Sequence, residues 1–189
     1  MILAFYEPTL EIDFAELDEI TKISHHYTWP YAGDLWMTKR GFQIQYIEMF
    51  DHLRFSQEGG DYLFAHAGKE VAEDQIKHSN ITQEQALAQS IVSAIQITQR
   101  IPTMTDITTA LDAGALVTCN VNSHALIDVS GYEGHAVLII GYTADCLILH
   151  DPGLPAHENW HITHQQFERA WAYPYDNVKN MTIYCKHTR

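Results

Sequence analysis

The 189-residue sequence holds only three cysteines, eleven basic residues and no apolar run long enough to span a membrane. Each scarcity excludes something. An odd number of cysteines without a Cys-x-x-Cys pair supplies neither a disulfide framework nor a zinc clip. Cys119, Cys146 and Cys185 each fall in an apolar, strand-like run and read as reduced core thiols of a cytoplasmic protein. Eleven Lys and Arg stand against twenty-four Asp and Glu, a formal net charge of −13, which argues against a nucleic-acid backbone or an anionic membrane as partner. A membrane helix takes about 20 apolar residues in succession, and the N-terminus lacks the basic-then-apolar form of a secretory signal. Repeats and linker-like stretches are missing as well. What remains is an ordinary globular composition, 46% hydrophobic and 11% aromatic, of a length that suits a single domain over residues 1–189.

Hydrophobic spacing then divides the chain. Residues 1–6 are apolar with no capping residue before them, so they read as the end of a helix that starts further upstream. Asp13 announces a second helix, and Thr28 with Pro30 a third that ends at Gly41. Phe42, Ile44 and Tyr46 alternate with polar residues as in a half-buried strand, and Asp51 caps a short helix. Two amphipathic helices are predicted over 61–78 and 82–99, joined at Asn80, the second with Thr82 and Gln85 at capping-box spacing. Gly59-Gly60 reads as the loop that starts the first of them. A short helix from Thr103 to Gly114 leads into a buried strand over 115–121 and a polar loop to Glu133. Brief strands follow at 159–162 and 181–186, separated by a helix that ends at Trp171 and opens on a Thr163 and Gln166 capping box. Helices dominate the first half and antiparallel strands the second, which is an α+β layout.

The centre of the chain is a hairpin. Gly134-His135-Ala136-Val137-Leu138-Ile139-Ile140-Gly141-Tyr142 and Cys146-Leu147-Ile148-Leu149-His150-Asp151-Pro152-Gly153 flank the small polar turn Thr143-Ala144-Asp145. With the turn centred there, strand partners carry numbers that sum to about 287, so His135 and Asp151 come within a residue or two of facing each other. An imidazole beside a carboxylate is two thirds of a catalytic triad: the carboxylate fixes the tautomer of the base and stabilises its protonated form. Asn120 and Asn122 either line the cleft or make the turn that leads to His135. Twelve histidines raise the question of a metal, with His25-His26, His157, His161 and His164 as the clusters. His161 and His164 straddle a strand and a helix start and share no helical face, so neither metal nor cofactor is expected. Trp29, Tyr31 and Trp36 read as core.

These same residues resemble a known family. The Gly134–Tyr142 and Leu149–Gly153 segments are similar to the His and Asp motifs of the C39-like cysteine peptidases, a branch of the papain-like fold, and a likeness to a bacterial and archaeal subgroup of that family over 115–123, the loop to Gly134 and 167–171 extends it to nearly all the chain. The resemblance implies a helical first half packed on an antiparallel sheet built largely by the second half. It also implies peptide-bond hydrolysis by a Cys-His-Asp triad, with His135 and Asp151 as two of its members and a peptide or protein as substrate. Family members place the nucleophile in a Cys-Gly-Pro motif at the start of their first helix. Met1-Ile2-Leu3-Ala4-Phe5-Tyr6 resembles the continuation of that helix, which puts the thiol upstream of residue 1, through a shortened sequence or a natural loss. The sequence as read is therefore expected not to turn over. The alternatives are a non-catalytic pseudopeptidase that binds a peptide or partner protein, and an acyl transferase. Oligomeric state is left open.

Overall fold

A computed structural model of the chain describes residues 1–21, 29–153 and 155–186. In chain order the elements are α1 (Ile2–Tyr6), α2 (Phe14–Thr21), α3 (Tyr31–Lys39), β1 (Gln43–Glu48), α4 (His52–Glu58), α5 (Gly60–His78), α6 (Ile81–Ala94), β2 (Gln96–Gln99), α7 (Met104–Asp112), β3 (Leu116–Asn122), α8 (Ser123–Leu126), β4 (Gly134–Tyr142), β5 (Cys146–Asp151), β6 (His157–Thr163), α9 (His164–Trp171) and β7 (Asn180–Cys185). Helices crowd the first half and strands the second, as the α+β reading expects. Thr28 and His25-His26 lie outside the described residues.

Local chemistry accounts for most boundaries. Asp13 accepts hydrogen bonds from the backbone of Ala15 and Glu16 at 2.9 and 3.2 Å, and Asp51 accepts one from Arg54 at 2.9 Å. Each satisfies donors that the first turn of a helix leaves open. Thr103 and Asp106 close a reciprocal capping box on α7. Gly59, at φ 56°, turns the chain between α4 and α5 in a backbone region costly for other residues. The apolar spacing over 61–78 conceals a break, because Gly68 at φ 80° divides α5 into two helical segments.

Two boundaries differ from the sequence reading. The helix expected over 82–99 stops at Ala94, since Ile95 is extended and residues 96–99 form β2. Ile95, Ile97 and Thr98 are β-branched and favour a pleated backbone, and Gln45 Nε2 donates to Thr98 Oγ1 at 3.2 Å. The cap of α6 is Asn80, which accepts from Gln83 N at 3.3 Å, while Gln85 donates its amide to the Ser56 carbonyl instead of closing a box with Thr82.

The chain divides into two compact units, one of Met1–Ile44, Asp51–Gln96 and Lys186–Arg189, the other of Gln45–Phe50 and Ile97–Cys185. In the first, Glu7 at the end of α1 pairs with both Arg40 and Lys186, and Phe55 stacks on Trp29 at 5.0 Å between ring centres. Trp29 and Tyr31 are thus packing residues, as read from the sequence. The second unit holds most of a seven-stranded sheet in the order β2-β1-β7-β3-β4-β5-β6. Its apolar cluster runs through Val117, Cys119 and Val121 of β3, Val137 and Ile139 of β4, and Leu147 and Leu149 of β5. Phe167, Ala170 and Trp171 of α9 close over it. Among the described residues no helix is long and apolar enough to cross a membrane.

Candidate active site

His135 stands at the rim of that core. On β3 and β4 the directly facing pairs Val117 with Ile139, Cys119 with Val137 and Val121 with His135 continue one face of the sheet. Alternation along a strand puts residues two apart on the same side, so His135 occupies the last position of an apolar stripe. The imidazole is 23% exposed and the Asp151 side chain 14%, so the pair is mostly withdrawn from water while the ring keeps some access to it.

Whether Asp151 shares that face depends on register. Next to the turn, Tyr142 faces Leu147 and Gly141 faces Ile148; beyond it, Ile139 faces Leu149 and Leu138 faces His150. Ile140 is an extra residue, a β-bulge. Extending the pairing next to the turn without the bulge would set Asp151 opposite Leu138 and hence on the far side from His135. With the bulge, Asp151 comes opposite Val137, diagonal to His135 and on its face. The hairpin count expected the two within a residue or two of facing; with the bulge they are diagonal neighbours, two residues from facing, and the side chains meet.

They meet in a defined way. Asp151 Oδ1 accepts a hydrogen bond from His135 Nε2, and the same oxygen accepts one from Gly153 N at 2.7 Å. A carboxylate accepts only, so in the neutral ring this pairing puts the proton on Nε2 and leaves Nδ1 as the basic nitrogen. Among the described residues Nδ1 has no hydrogen-bond partner. The ring is thus held by one edge and presents the other.

The loop before His135 is clamped at its stem. Asn122, 2% exposed, accepts from His124 N at 3.2 Å and Glu133 N at 3.1 Å and donates to the Gly131 carbonyl at 2.9 Å. Asn122 therefore shapes the turn and starts α8, a short helix that the polar composition of the loop concealed. Asn120 is exposed and receives no such role; its backbone N–H donates to Asn180 Oδ1 at 2.9 Å. Thr163 caps α9 through Gln166 N at 3.2 Å, but the Gln166 amide donates to the Leu126 carbonyl, so the second half of the predicted capping box is absent.

No cysteine of the three faces Nδ1 in an activated state. Cys185 lies beyond Tyr184, which pairs with Leu116 at the opposite end of β3 from Val121, about 20 Å along the strand from His135. Cys146 sits at the turn end of the hairpin, about 24 Å away. Cys119 is one diagonal step from His135, yet it is 1% exposed and burial pushes its thiol well above the ordinary range, the reverse of activation. Of the histidines singled out in the sequence, His157 packs edge-on against Trp160, His161 lies on β6 and His164 opens α9.

The role of Gly153 was not legible from spacing alone. Asp-Pro-Gly signals a turn, and the turn brings the glycine against the His–Asp pair.

Comparison with known proteins gives three findings. The model of the Peptidase_C39 like family matches residues 21–177. No curated protein matches the chain. Among solved structures, a proposed C39-like peptidase from Bacillus anthracis is similar over 47% of this chain and 50% of its own, half its length, at 18% identity and a TM-score of 0.36.

Proposed function

The chain belongs to the Peptidase_C39 like family, and from that premise we propose that it carries the acid–base half of a cysteine peptidase, with His135 as the proton-transfer base and Asp151 as the group that orients it. The carrying observation is the bond between His135 Nε2 and Asp151 Oδ1 at the rim of the core, which leaves Nδ1 to face a reactant. A thiol opposite Nδ1 would give its proton to His135 and attack the carbonyl carbon of a peptide. The C–N bond then breaks, the amine leaves with the proton from His135, and the acyl group stays on sulfur as a thioester. Water, deprotonated by the same nitrogen, releases the acid and restores the thiol. Asp151 offsets the positive charge on the ring in both steps. No metal or cofactor enters this scheme.

The peptide or protein substrate and a cytoplasmic setting complete the proposal; three unpaired cysteines support the latter. A second reading is favoured by one observation, namely that no thiol of this sequence is both close to Nδ1 and ionisable. In that reading the site grips a peptide or partner protein and does not cleave it.

Labelling the longest open reading frame that contains this sequence with a thiol alkylator separates the two. A cysteine outside residues 1–189 that labels fast, and at least about tenfold slower after His135→Ala, supports the peptidase. A frame without a further cysteine, or equal labelling of both proteins, overturns it and leaves the binding module.

A further inference from the structure

We propose that Gly153 is a positioning residue for the His135–Asp151 pair, its backbone N–H holding the carboxylate in place and its missing side chain making room for the carboxylate oxygen that the imidazole bonds. The inference rests on the reading of that pair as a functional site, and extends it to a residue whose role there was not legible in the sequence.

Three observations converge on it. Gly153 N and His135 Nε2 donate to the same oxygen, Asp151 Oδ1, the first across 2.7 Å. Two donors from separate segments fix the rotation of a carboxylate that one donor would leave loose. Pro152 makes Gly153 the provider: proline has no N–H and a locked φ, so the first backbone donor able to turn back onto Asp151 is the next one. Finally, a Cβ at Gly153 would lie 3.0 Å from Asp151 Oδ1 and 3.4 and 3.5 Å from His135 Cε1 and Nε2. Gly153 is not among the glycines with positive φ, so backbone freedom is not what requires glycine here. Space does. The ring contacts are ordinary, but an added methyl would press on the oxygen that accepts the bond setting the tautomer, and the carboxylate would have to turn aside or Gly153 withdraw by a few tenths of an ångström.

The tautomer can be read directly on the 189-residue chain without any turnover. In uniformly 15N-labelled protein at pH about 9, where imidazoles are neutral, the long-range ¹H–15N pattern of His135 should show Nε2–H as the dominant form. Asp151→Ala, which removes the acceptor oxygen, serves as the reference for a lost partner and should give a mixture of tautomers. Gly153→Ala is expected to move His135 at least halfway to that mixture, with the rest of the spectrum unchanged. A second measurement leaves Gly153 in place: its own amide proton should exchange with solvent at least about tenfold faster in Asp151→Ala, which lacks the acceptor, than in the unaltered protein. Retention of the Nε2–H pattern in Gly153→Ala, or an amide exchange rate indifferent to Asp151→Ala, overturns the role of Gly153 alone. If Asp151→Ala itself leaves His135 unchanged, the pair is not a working unit, and the proposed function falls with the inference.

Discussion

Glu84 shows at the scale of one residue what burial does to charge. It is 7% exposed, its Oε2 has no hydrogen-bond partner, and desolvation raises its pKa from the ordinary 4.5 to about 7. A carboxyl whose folded value exceeds its unfolded one binds its proton more tightly when folded. Stability from this group is therefore complete below about pH 4.5 and lost as the pH rises through about 7. Glu84→Gln removes the charge and keeps the shape. It should raise unfolding stability at pH 8 by about 1–2 kcal/mol, with the gain vanishing below pH 4.5, as denaturant titrations at both pH values would show. Asp106 behaves in the opposite sense. Hydrogen bonds from Arg100, opposed by desolvation and helped by Thr103, lower its pKa to about 2 from 3.8. Its contribution is present above 3.8 and disappears as pH falls through about 2, so Asp106→Asn should raise the pH midpoint of acid unfolding.

An element holds when its ends and its buried face agree. In α9 the Thr163 hydroxyl caps the first turn, and Phe167, Ala170 and Trp171 are each at most 1% exposed. Thr163→Ala should cost about 1 kcal/mol and Trp171→Ala about 3–5 kcal/mol, both measured by denaturant unfolding. A smaller loss for the tryptophan than for the cap would mean that α9 is not a core element. The bulge at Ile140 belongs to this scale too, because it shifts the pairing of β4 by one residue and brings His135 onto the face of Asp151. Sheet periodicity makes such a shift all-or-nothing: one residue moves a side chain to the other side.

Across the whole molecule the three cysteines report accessibility. Cys119 is buried in the apolar cluster, whereas Cys146 and Cys185 are partly exposed. A chromogenic disulfide reagent should titrate two thiols in the folded protein and the third only after denaturant is added. Three equivalents reacting at one rate would contradict the placement of β3. The formal charge of −13 is likewise a property of the entire chain, and it favours solubility and repulsion of polyanions.

The sequence by itself determined whatever short-range chemistry dictates. Asp13, Asp51, Thr103 and Thr163 capped helices because their side chains reach donors two or three residues away. The apolar run, polar turn and second apolar run specified β4 and β5, and hence placed His135 and Asp151 at one end of a hairpin. Tertiary structure alone decided what depended on partners distant in the chain. Residues 96–99 joined a sheet instead of prolonging a helix, Gln166 reached Leu126 instead of its own cap, and α8 formed inside a polar loop because Asn122 satisfied both ends of it. The bulge and the approach of Gly153 to the carboxylate are of the same kind. Local propensity says nothing of register or of the space left beside a carboxylate oxygen, and those two quantities place the imidazole against the carboxylate.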